Sequence, residues 1–171
     1  MIFLTGLPGA GKSSVGSELA TRLGREFIDL DERIVASAGL SIPEIFQRHG
    51  ESGFRRLEAA ELCKVARGEQ AVVALGGGTL MDSDNLRWAK SRGTLVYLAA
   101  PIDLLCERLG SPDGRPLFNG ATTREAVRST LRDLWNARRE SYERADVVVW
   151  SGVTSSIERV AAQIAERLAE R

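Results

Sequence analysis

The segment TGLPGAGKSS, residues 5–14, constrains the fold of this chain more than any other part of the sequence. It fits the pattern G-x-x-x-x-G-K-[S/T], follows the apolar run MIFL and precedes a helical pattern, which is the context that the motif requires. Its glycines let successive main-chain N–H groups turn toward an anion, and the dipole of the following helix favours phosphate. Within the loop, Lys12 supplies a positive charge for the β- and γ-phosphates, and the Ser13 hydroxyl is placed to ligate Mg²⁺. A glycine turn that binds nothing is the alternative, and the full motif in this context argues against it.

Apolar runs alternate with helical patterns along the whole chain. The strands are predicted at IFLT, EFIDL, AVVAL, TLVYL and DVVVW. This alternation indicates an α/β fold with a five-stranded parallel sheet between two layers of helices, in a single domain over residues 1–171. The helices are predicted at roughly 12–23, 32–38, 42–49, 51–67, 82–92, 102–109, 123–142 and 155–170.

Two segments exceed what simple crossovers between strands need. Three predicted helices lie between the second and third strands, and we interpret about residues 31–60 as a substrate-binding helical insert. The segment GSPDGRPLFNGAT, about residues 110–122, is rich in Gly, Pro, Asp and Asn, and it predicts a mobile lid.

Charge and hydropathy exclude several classes of partner. Lys plus Arg equal Asp plus Glu at 23 each, so no global charge draws the chain to nucleic acid or to a membrane. No apolar run approaches the roughly 20 residues of a membrane helix. Cys63 and Cys106 lack metal-site spacing and favour a reducing compartment. Because the first strand begins at Ile2 without room for a leader, and no heptad pattern suggests a partner chain, we expect a cytoplasmic monomer.

Residues directly after the predicted strands are the candidates for the rest of the site, because ligands of open parallel sheets bind beyond the carboxyl ends of the strands. Asp29 and Asp31 follow the second strand, and in an extended chain their carboxylates would point the same way. No carboxylate directly follows the third or fourth strand, so Asp29 is the candidate for Mg²⁺. Asp31 either meets the phosphate acceptor or caps the next helix, and spacing alone weighs the two equally.

Two further stretches could contact an acceptor. Three consecutive glycines, 76–78, indicate a close approach to the main chain, either by a polyol ring or within a tight turn before the next helix. In GESGFRRLE, Arg55 and Glu58 lie three residues apart on a helix and can pair. A paired arginine suits a substrate carboxylate, although most such pairs lie on a solvated face.

Taken together, these stretches resemble the shikimate kinase family over essentially the whole chain. The matching pieces, in order, are GLPGAGKS, DLDE, IFQRHGESGFRRLE, GGG, GRPLF and ARRESY. The resemblance implies a P-loop kinase fold and Mg²⁺- and ATP-dependent phosphorylation of the 3-hydroxyl of shikimate, a step toward chorismate and the aromatic amino acids.

The resemblance also implies roles for individual residues. The expected catalytic residues are Lys12, Asp31, which would orient the attacking hydroxyl, and Arg115, the lid arginine. Those expected to bind ATP are Gly9, Ala10, Gly11, Lys12, Ser13, Ser14, Arg108 and Arg115. Those expected to bind shikimate are Asp31, Phe46, Phe54, Arg55, Glu58, Gly76, Gly77, Gly78 and Arg138, with Arg55 and Arg138 on the carboxylate. Mg²⁺ is expected at Ser13 and Asp29, and the resemblance assigns no role to Trp150 or Ser151.

Two alternatives stay open. A gluconate kinase or a nucleoside monophosphate kinase would share the fold. A gluconate kinase is expected to carry histidine and proline beyond the acidic pair, which DLDERI lacks. A nucleoside monophosphate kinase is expected to carry further arginines in its lid besides Arg115. A catalytically inactive module that senses shikimate is the second alternative, and the presence of Lys12, Ser13, Asp31 and Arg115 argues against it.

Overall fold

The computed structural model of this chain describes residues 1–65, 70–110, 116–118 and 123–171. Its sheet has five strands, which are β1 (Ile2–Thr5), β2 (Glu26–Asp29), β3 (Ala71–Ala74), β4 (Thr94–Ala99) and β5 (Val147–Trp150). The strand order is β2-β3-β1-β4-β5, and every neighbouring pair is parallel. The predicted five-stranded parallel sheet is confirmed.

Helices connect the strands in the predicted alternation. They are α1 (Lys12–Leu23), α2 (Leu30–Ala38), α3 (Ile42–Val65), α4 (Ser83–Arg92), α5 (Ile102–Leu109), α6 (Arg124–Glu143) and α7 (Ile157–Ala169). Short 3-10 turns, which the sequence did not predict, lie at Thr79–Met81 and Pro116–Phe118. The two helices predicted over 42–49 and 51–67 join in α3, whose helical geometry is interrupted at Gly50 with φ 67° and ψ −179°.

Both faces of the sheet are buried. Ile2 and Leu4 of β1 belong to one apolar cluster together with residues of α1, α6 and α7, whereas Phe3 belongs to a second cluster with residues of α2, α3 and α4. Successive side chains of a strand point to opposite faces, so a strand covered on both sides must be apolar throughout. The unbroken apolar runs in the sequence have this cause, and the layers are helix, sheet and helix.

The sheet register brings three strand ends to one place. Leu4 of β1 and Asp29 of β2 both pair with Ala74 of β3, so these three strands end at the same level. The phosphate loop after β1, the acidic pair at the end of β2 and the glycine triplet after β3 therefore meet at one edge of the sheet.

Two predicted segments, the lid and one helix, include residues that lie outside the described ranges. Of the predicted lid, 110–122, only Gly110 and 116–118 are described, so Arg115 lies outside the described residues, as do Ala66 and Arg67 at the end of a predicted helix. The range of the predicted insert, about residues 31–60, spans α2 and most of α3. Among the helices of the described ranges, none is long and apolar enough to cross a membrane.

Candidate active site

The loop between β1 and α1 has the shape of an anion cradle. Gly6, Gly9 and Gly11 have φ values of 151°, 82° and 89°, which L side chains rarely adopt. Gly11 is the N-cap of α1 and provides no side-chain cap, so the first N–H groups of the helix stay available to an anion. The Lys12 ammonium lies over the same loop and donates to the main-chain oxygens of Gly6 at 3.0 Å and Leu7 at 3.3 Å.

Asp29 links the phosphate loop to the start of α2. Its Oδ2 accepts a 2.6 Å hydrogen bond from the Ser13 hydroxyl, and its Oδ1 accepts from the Asp31 N–H at 3.0 Å. Asp29 is thus the N-cap of α2. The proposal that Asp31 caps this helix is wrong, and so is the assumption of an extended pair, because α2 already begins at Leu30.

Asp31 has an unusual environment for a carboxylate. Burial and the nearby Asp29 charge raise its pKa to about 6, against the opposing effect of Lys12. Its Oδ1 is buried and has no hydrogen-bond partner in the structure. A buried carboxylate oxygen without a donor is costly, and a pKa near neutrality suits a group that accepts a proton. Asp31 is therefore equipped to receive a hydroxyl donor from a ligand.

Two carboxylates hold the Arg55 guanidinium in place. Its Nη1 donates to Glu58 Oε2 at 2.7 Å, and its Nη2 donates to Glu51 Oε1 at 3.2 Å. Burial opposes the charge of Arg55, but these carboxylates raise its pKa overall. Because Glu58 is fully buried, the interpretation of this pair as a solvated helix face is wrong. The guanidinium lies over the Phe54 ring, which in turn packs against Phe46 with centroids 4.9 Å apart.

Arg138 is the second arginine of the site. It is 3% exposed, and its Nε and Nη1 are buried without a hydrogen-bond partner. Four residues later on α6, the Tyr142 hydroxyl donates to the main-chain oxygen of Gly77 at 2.8 Å. Unpaired buried donors on a cation are rare in folded proteins and point to an anion as the missing partner.

The glycines after β3 leave room for these cations. A Cβ at Gly77 would lie 2.7 Å from Arg138 Nη1, and a Cβ at Gly78 would lie 2.9 Å from Arg55 Nη2. Neither glycine has a positive φ, so the missing side chain and not the backbone conformation is what the site requires. The predicted close approach is present, and the side chains that approach are the two arginines.

One cavity of about 650 Å³ unites the parts described above. Every predicted site residue within the described ranges lines it, namely Gly9, Ala10, Gly11, Lys12, Ser13, Ser14, Asp29, Asp31, Phe46, Phe54, Arg55, Glu58, Gly76, Gly77, Gly78, Arg108 and Arg138. Arg115 falls outside those ranges, and its predicted place at the phosphate stays untested.

Two polar residues of this region went unassigned in the sequence analysis. Ser151 is buried, lines the cavity and accepts a 3.0 Å hydrogen bond from Arg108 Nη2. The sequence places it directly after the fifth strand but did not show that its partner is Arg108. Thr79 donates to Glu58 Oε1 at 2.6 Å, and no local signal reveals a contact across 21 residues.

Ser13 and Asp29 are the predicted ligands of a divalent cation. Ser13 and Asp29 supply a hydroxyl and a carboxylate within 2.6 Å of each other, which are ligand types that Mg²⁺ prefers. Across the described ranges there is no group of three or more His, Cys, Asp or Glu residues that could hold a metal. A cation at this pair would therefore complete its shell with phosphate or water oxygens, as Mg²⁺ does in nucleotide enzymes.

Comparison with known sequences gives one consistent result. The family model described as shikimate kinase matches residues 8–169. A shikimate kinase of Chlorobaculum tepidum is 40% identical over an alignment of 171 positions, which covers 96% of this chain and 90% of the relative. One of Salinibacter ruber is 44% identical over 149 positions, covering 84% of this chain and 73% of the relative.

Solved structures agree with the sequence comparison. The shikimate kinase of Acinetobacter baumannii in complex with shikimate superposes with a TM-score of 0.92 at 35% identity, covering 99% of this chain and 92% of that protein. The shikimate kinase of Aquifex aeolicus gives a TM-score of 0.82 at 34% identity, covering 98% of this chain and 95% of that protein.

Proposed function

This chain belongs to the shikimate kinase family and is an ATP-dependent phosphotransferase, and we propose that it transfers the γ-phosphate of ATP to the 3-hydroxyl of shikimate. The product would be shikimate 3-phosphate, on the way to chorismate and the aromatic amino acids. The observation that carries this proposal is one cavity lined by a phosphate loop, by a buried arginine with two donor nitrogens that lack partners and by a carboxylate with one buried oxygen that lacks a partner.

Shikimate is an anion with a carboxylate at one end and three hydroxyls, and the acceptor half of the cavity matches this chemistry. Arg138 offers buried donors without partners, and Arg55 offers a planar guanidinium whose direction Glu58 holds. Guanidinium groups bind carboxylates through paired hydrogen bonds, which gives direction as well as affinity. We assign the substrate carboxylate to these two arginines, with Phe46 and Phe54 as the apolar wall.

Asp31 is the residue to which we assign the reacting hydroxyl. With a pKa of about 6, it is mostly ionised at neutral pH and can accept a hydrogen bond from the hydroxyl. Phosphoryl transfer passes through a loose transition state, in which the hydroxyl needs orientation first and loses its proton late. Asp31 would perform both tasks from one position.

The donor half would hold ATP through the phosphate loop. Lys12 and the N–H groups at the start of α1 would compensate phosphate charge, and Arg108, fixed by Ser151, would lie beside the nucleotide base. Ser13 and Asp29 would hold Mg²⁺, which when bound neutralises charge on the phosphates. We retain Arg115 as the proposed lid arginine, although it lies outside the described residues.

The setting of this activity is also a proposal. Both cysteines are free, Cys106 buried and Cys63 half-buried, and free thiols are typical of a reducing compartment. We infer a cytoplasmic monomer that works on small molecules.

An assay of ADP release with Mg·ATP tests the proposed acceptor. The panel is shikimate, quinate, gluconate and AMP, each with the unaltered protein and with Arg55→Ala. We expect turnover with shikimate alone and its loss with Arg55→Ala. Turnover with gluconate or AMP would contradict the proposed acceptor, and no turnover with any of the four would favour a binding module.

A further inference from the structure

Glu58 is the anchor of Arg55, and it has a second partner of its own. Its side chain is 1% exposed, and each carboxylate oxygen has a separate donor. Oε2 accepts from Arg55 Nη1 at 2.7 Å, and Oε1 accepts from the Thr79 hydroxyl at 2.6 Å. Thr79 itself is fully buried, so no water competes for this bond.

Thr79 is held in place from both sides of its main chain. Its N–H donates to the Gly76 oxygen at 3.1 Å, and its own carbonyl accepts from the Asn85 side-chain amide at 3.0 Å. Asn85 is in turn fixed at the start of α4, where its N–H donates to Asp82 at 3.0 Å. The Thr79 hydroxyl therefore presents a fixed point to Glu58.

The glycine at 76 is part of the same arrangement. A Cβ there would lie 2.7 Å from Glu58 Oε1 and 3.0 Å from Thr79 Oγ1. Any other residue would push apart the two groups that form the bond. The first glycine of the triplet thus makes room for the bond between Glu58 and Thr79, as the next two make room for the arginines.

We propose that Thr79 is a positioning residue for the substrate: its hydroxyl holds Glu58 so that Arg55 keeps a guanidinium edge toward the acceptor end of the cavity. Without the hydroxyl, the buried Oε1 loses its only described donor, and a buried charged group does not tolerate that loss. Glu58 then turns both oxygens onto Arg55 as a paired contact. That contact consumes guanidinium donors that a substrate carboxylate would use.

Three variants separate positioning from folding. Thr79→Val removes the hydroxyl at nearly constant shape, and Thr79→Ser keeps it. Thr130→Val is the matched control, because the Thr130 hydroxyl donates only to the Ala126 carbonyl one turn earlier on α6. The inference rests on the proposed function, so the KM for shikimate and the KM for ATP are measured for each variant together with the unaltered protein.

We expect Thr79→Val to raise the KM for shikimate about tenfold, as loss of a hydrogen bond to a charged group does. The KM for ATP should stay unchanged, Thr79→Ser should restore shikimate binding, and Thr130→Val should match the unaltered protein. An unchanged KM for shikimate in Thr79→Val, or equal rises for both substrates, would overturn the inference. If Thr79→Val does not fold, Thr79→Ala replaces it with the same expected rise in the KM for shikimate, since it also removes the hydroxyl.

A second measurement needs no substrate. The ¹⁵N resonance of the Arg55 guanidinium reports its pairing with Glu58, and we expect it to shift in Thr79→Val but not in Thr79→Ser or Thr130→Val. If the unaltered protein fails to phosphorylate shikimate, the proposed function is wrong, and this resonance still decides the role of Thr79. A resonance that does not move in Thr79→Val would overturn that role.

Discussion

The Ser13 hydroxyl donates a 2.6 Å hydrogen bond to the carboxylate of Asp29, 16 residues further along the chain. The other oxygen of that carboxylate caps α2 through the Asp31 N–H. One side chain therefore ties the phosphate loop to the helix that carries Asp31. The cation site and the position of the proposed proton acceptor are mechanically connected through Asp29.

The double role of Asp29 can be separated by two substitutions. Asn is as good an N-cap as Asp but has no charge, so Asp29→Asn should raise the Mg²⁺ concentration for half-maximal activity while leaving stability nearly unchanged. Asp29→Ala should raise the Mg²⁺ requirement as well and cost about 1 kcal/mol of stability through the lost cap. Mg²⁺ titrations of activity and urea unfolding measure the two effects. An unaltered Mg²⁺ requirement in Asp29→Asn would exclude Asp29 as a ligand.

Arg55 should contribute to binding of the phosphate acceptor and not to binding of the nucleotide. Arg55→Ala removes a charged partner of the substrate carboxylate, which we expect to weaken shikimate binding by about 2 kcal/mol or more. Arg55→Lys should recover only part of this affinity, because an ammonium lacks the planar fork. Arg56, the exposed neighbour, provides the control in Arg56→Ala. Calorimetry with shikimate gives the values, and wild-type affinity in Arg55→Ala would refute the assignment.

The pH dependence of turnover should report Asp31. Because burial and Asp29 raise its pKa to about 6, the carboxylate becomes protonated as the pH falls through that value. A protonated Asp31 cannot accept the hydroxyl proton, so we expect kcat/KM for shikimate to fall below about pH 6. Asp31→Asn should reduce kcat strongly and abolish this limb of the profile. A profile that keeps the limb in Asp31→Asn would assign it to another group.

The raised pKa of Asp31 also predicts that ionisation of this residue, which activity needs, lowers the stability of the folded state. The folded state binds the Asp31 proton more tightly than the unfolded state, in which the pKa is near 3.8. The contribution of Asp31 to stability therefore declines as the pH rises from about 4 to 6, and the full cost remains above pH 6. We expect Asp31→Asn to be more stable at pH 7 by about 3 kcal/mol, a gain that shrinks as the pH falls from about 6 to about 4 and is absent below that range. Urea unfolding at pH 7 and pH 4 provides the test, and a less stable variant at pH 7 would contradict it.

Much of this architecture could be predicted from the sequence because its causes are local. The unbroken apolar strands and the phosphate loop report burial and backbone conformation within a few residues. The role of Asp31 could not be decided in this way, since a two-residue difference in where α2 begins determines which aspartate is the cap. The bond between Thr79 and Glu58 depends on how α3 packs against the end of β3, and no pattern in the chain encodes it.

Two glycine substitutions should separate site geometry from core packing. In Gly78→Ala the new Cβ meets the end of the Arg55 side chain at 2.9 Å, so we expect weaker shikimate binding with an unchanged Tm. In Gly16→Ala, on α1, the Cβ meets the Phe27 ring at 2.5 Å and the Leu4 side chain at 3.0 Å inside the core. Overpacking of a core costs about 1–3 kcal/mol of stability, so Gly16→Ala should have a lower Tm than the unaltered protein. A fall in Tm for Gly78→Ala would contradict the separation.

The Tyr142 hydroxyl contacts both the Gly77 carbonyl and the Arg138 side chain, so it should help to hold both in position. Burial raises the pKa of Tyr142 to about 12, so the group stays protonated and donates to Gly77 at all ordinary pH values. The hydroxyl also hydrogen-bonds Arg138, and the ring stacks on Tyr97 at 4.7 Å. Tyr142→Phe keeps the stacking but leaves the Gly77 carbonyl and Arg138 less constrained.

We expect Tyr142→Phe to lower stability by about 1 kcal/mol and to weaken shikimate binding at the same time, because Arg138 loses the partner that directs it. Tyr97→Phe is the matched control: it removes a hydroxyl from the other ring of the stack, which does not contact Arg138 or Gly77 through a described hydrogen bond. Shikimate calorimetry combined with urea unfolding distinguishes the two variants. Equal losses of affinity in both would show that the stack as a whole, and not the Tyr142 hydroxyl, positions Arg138.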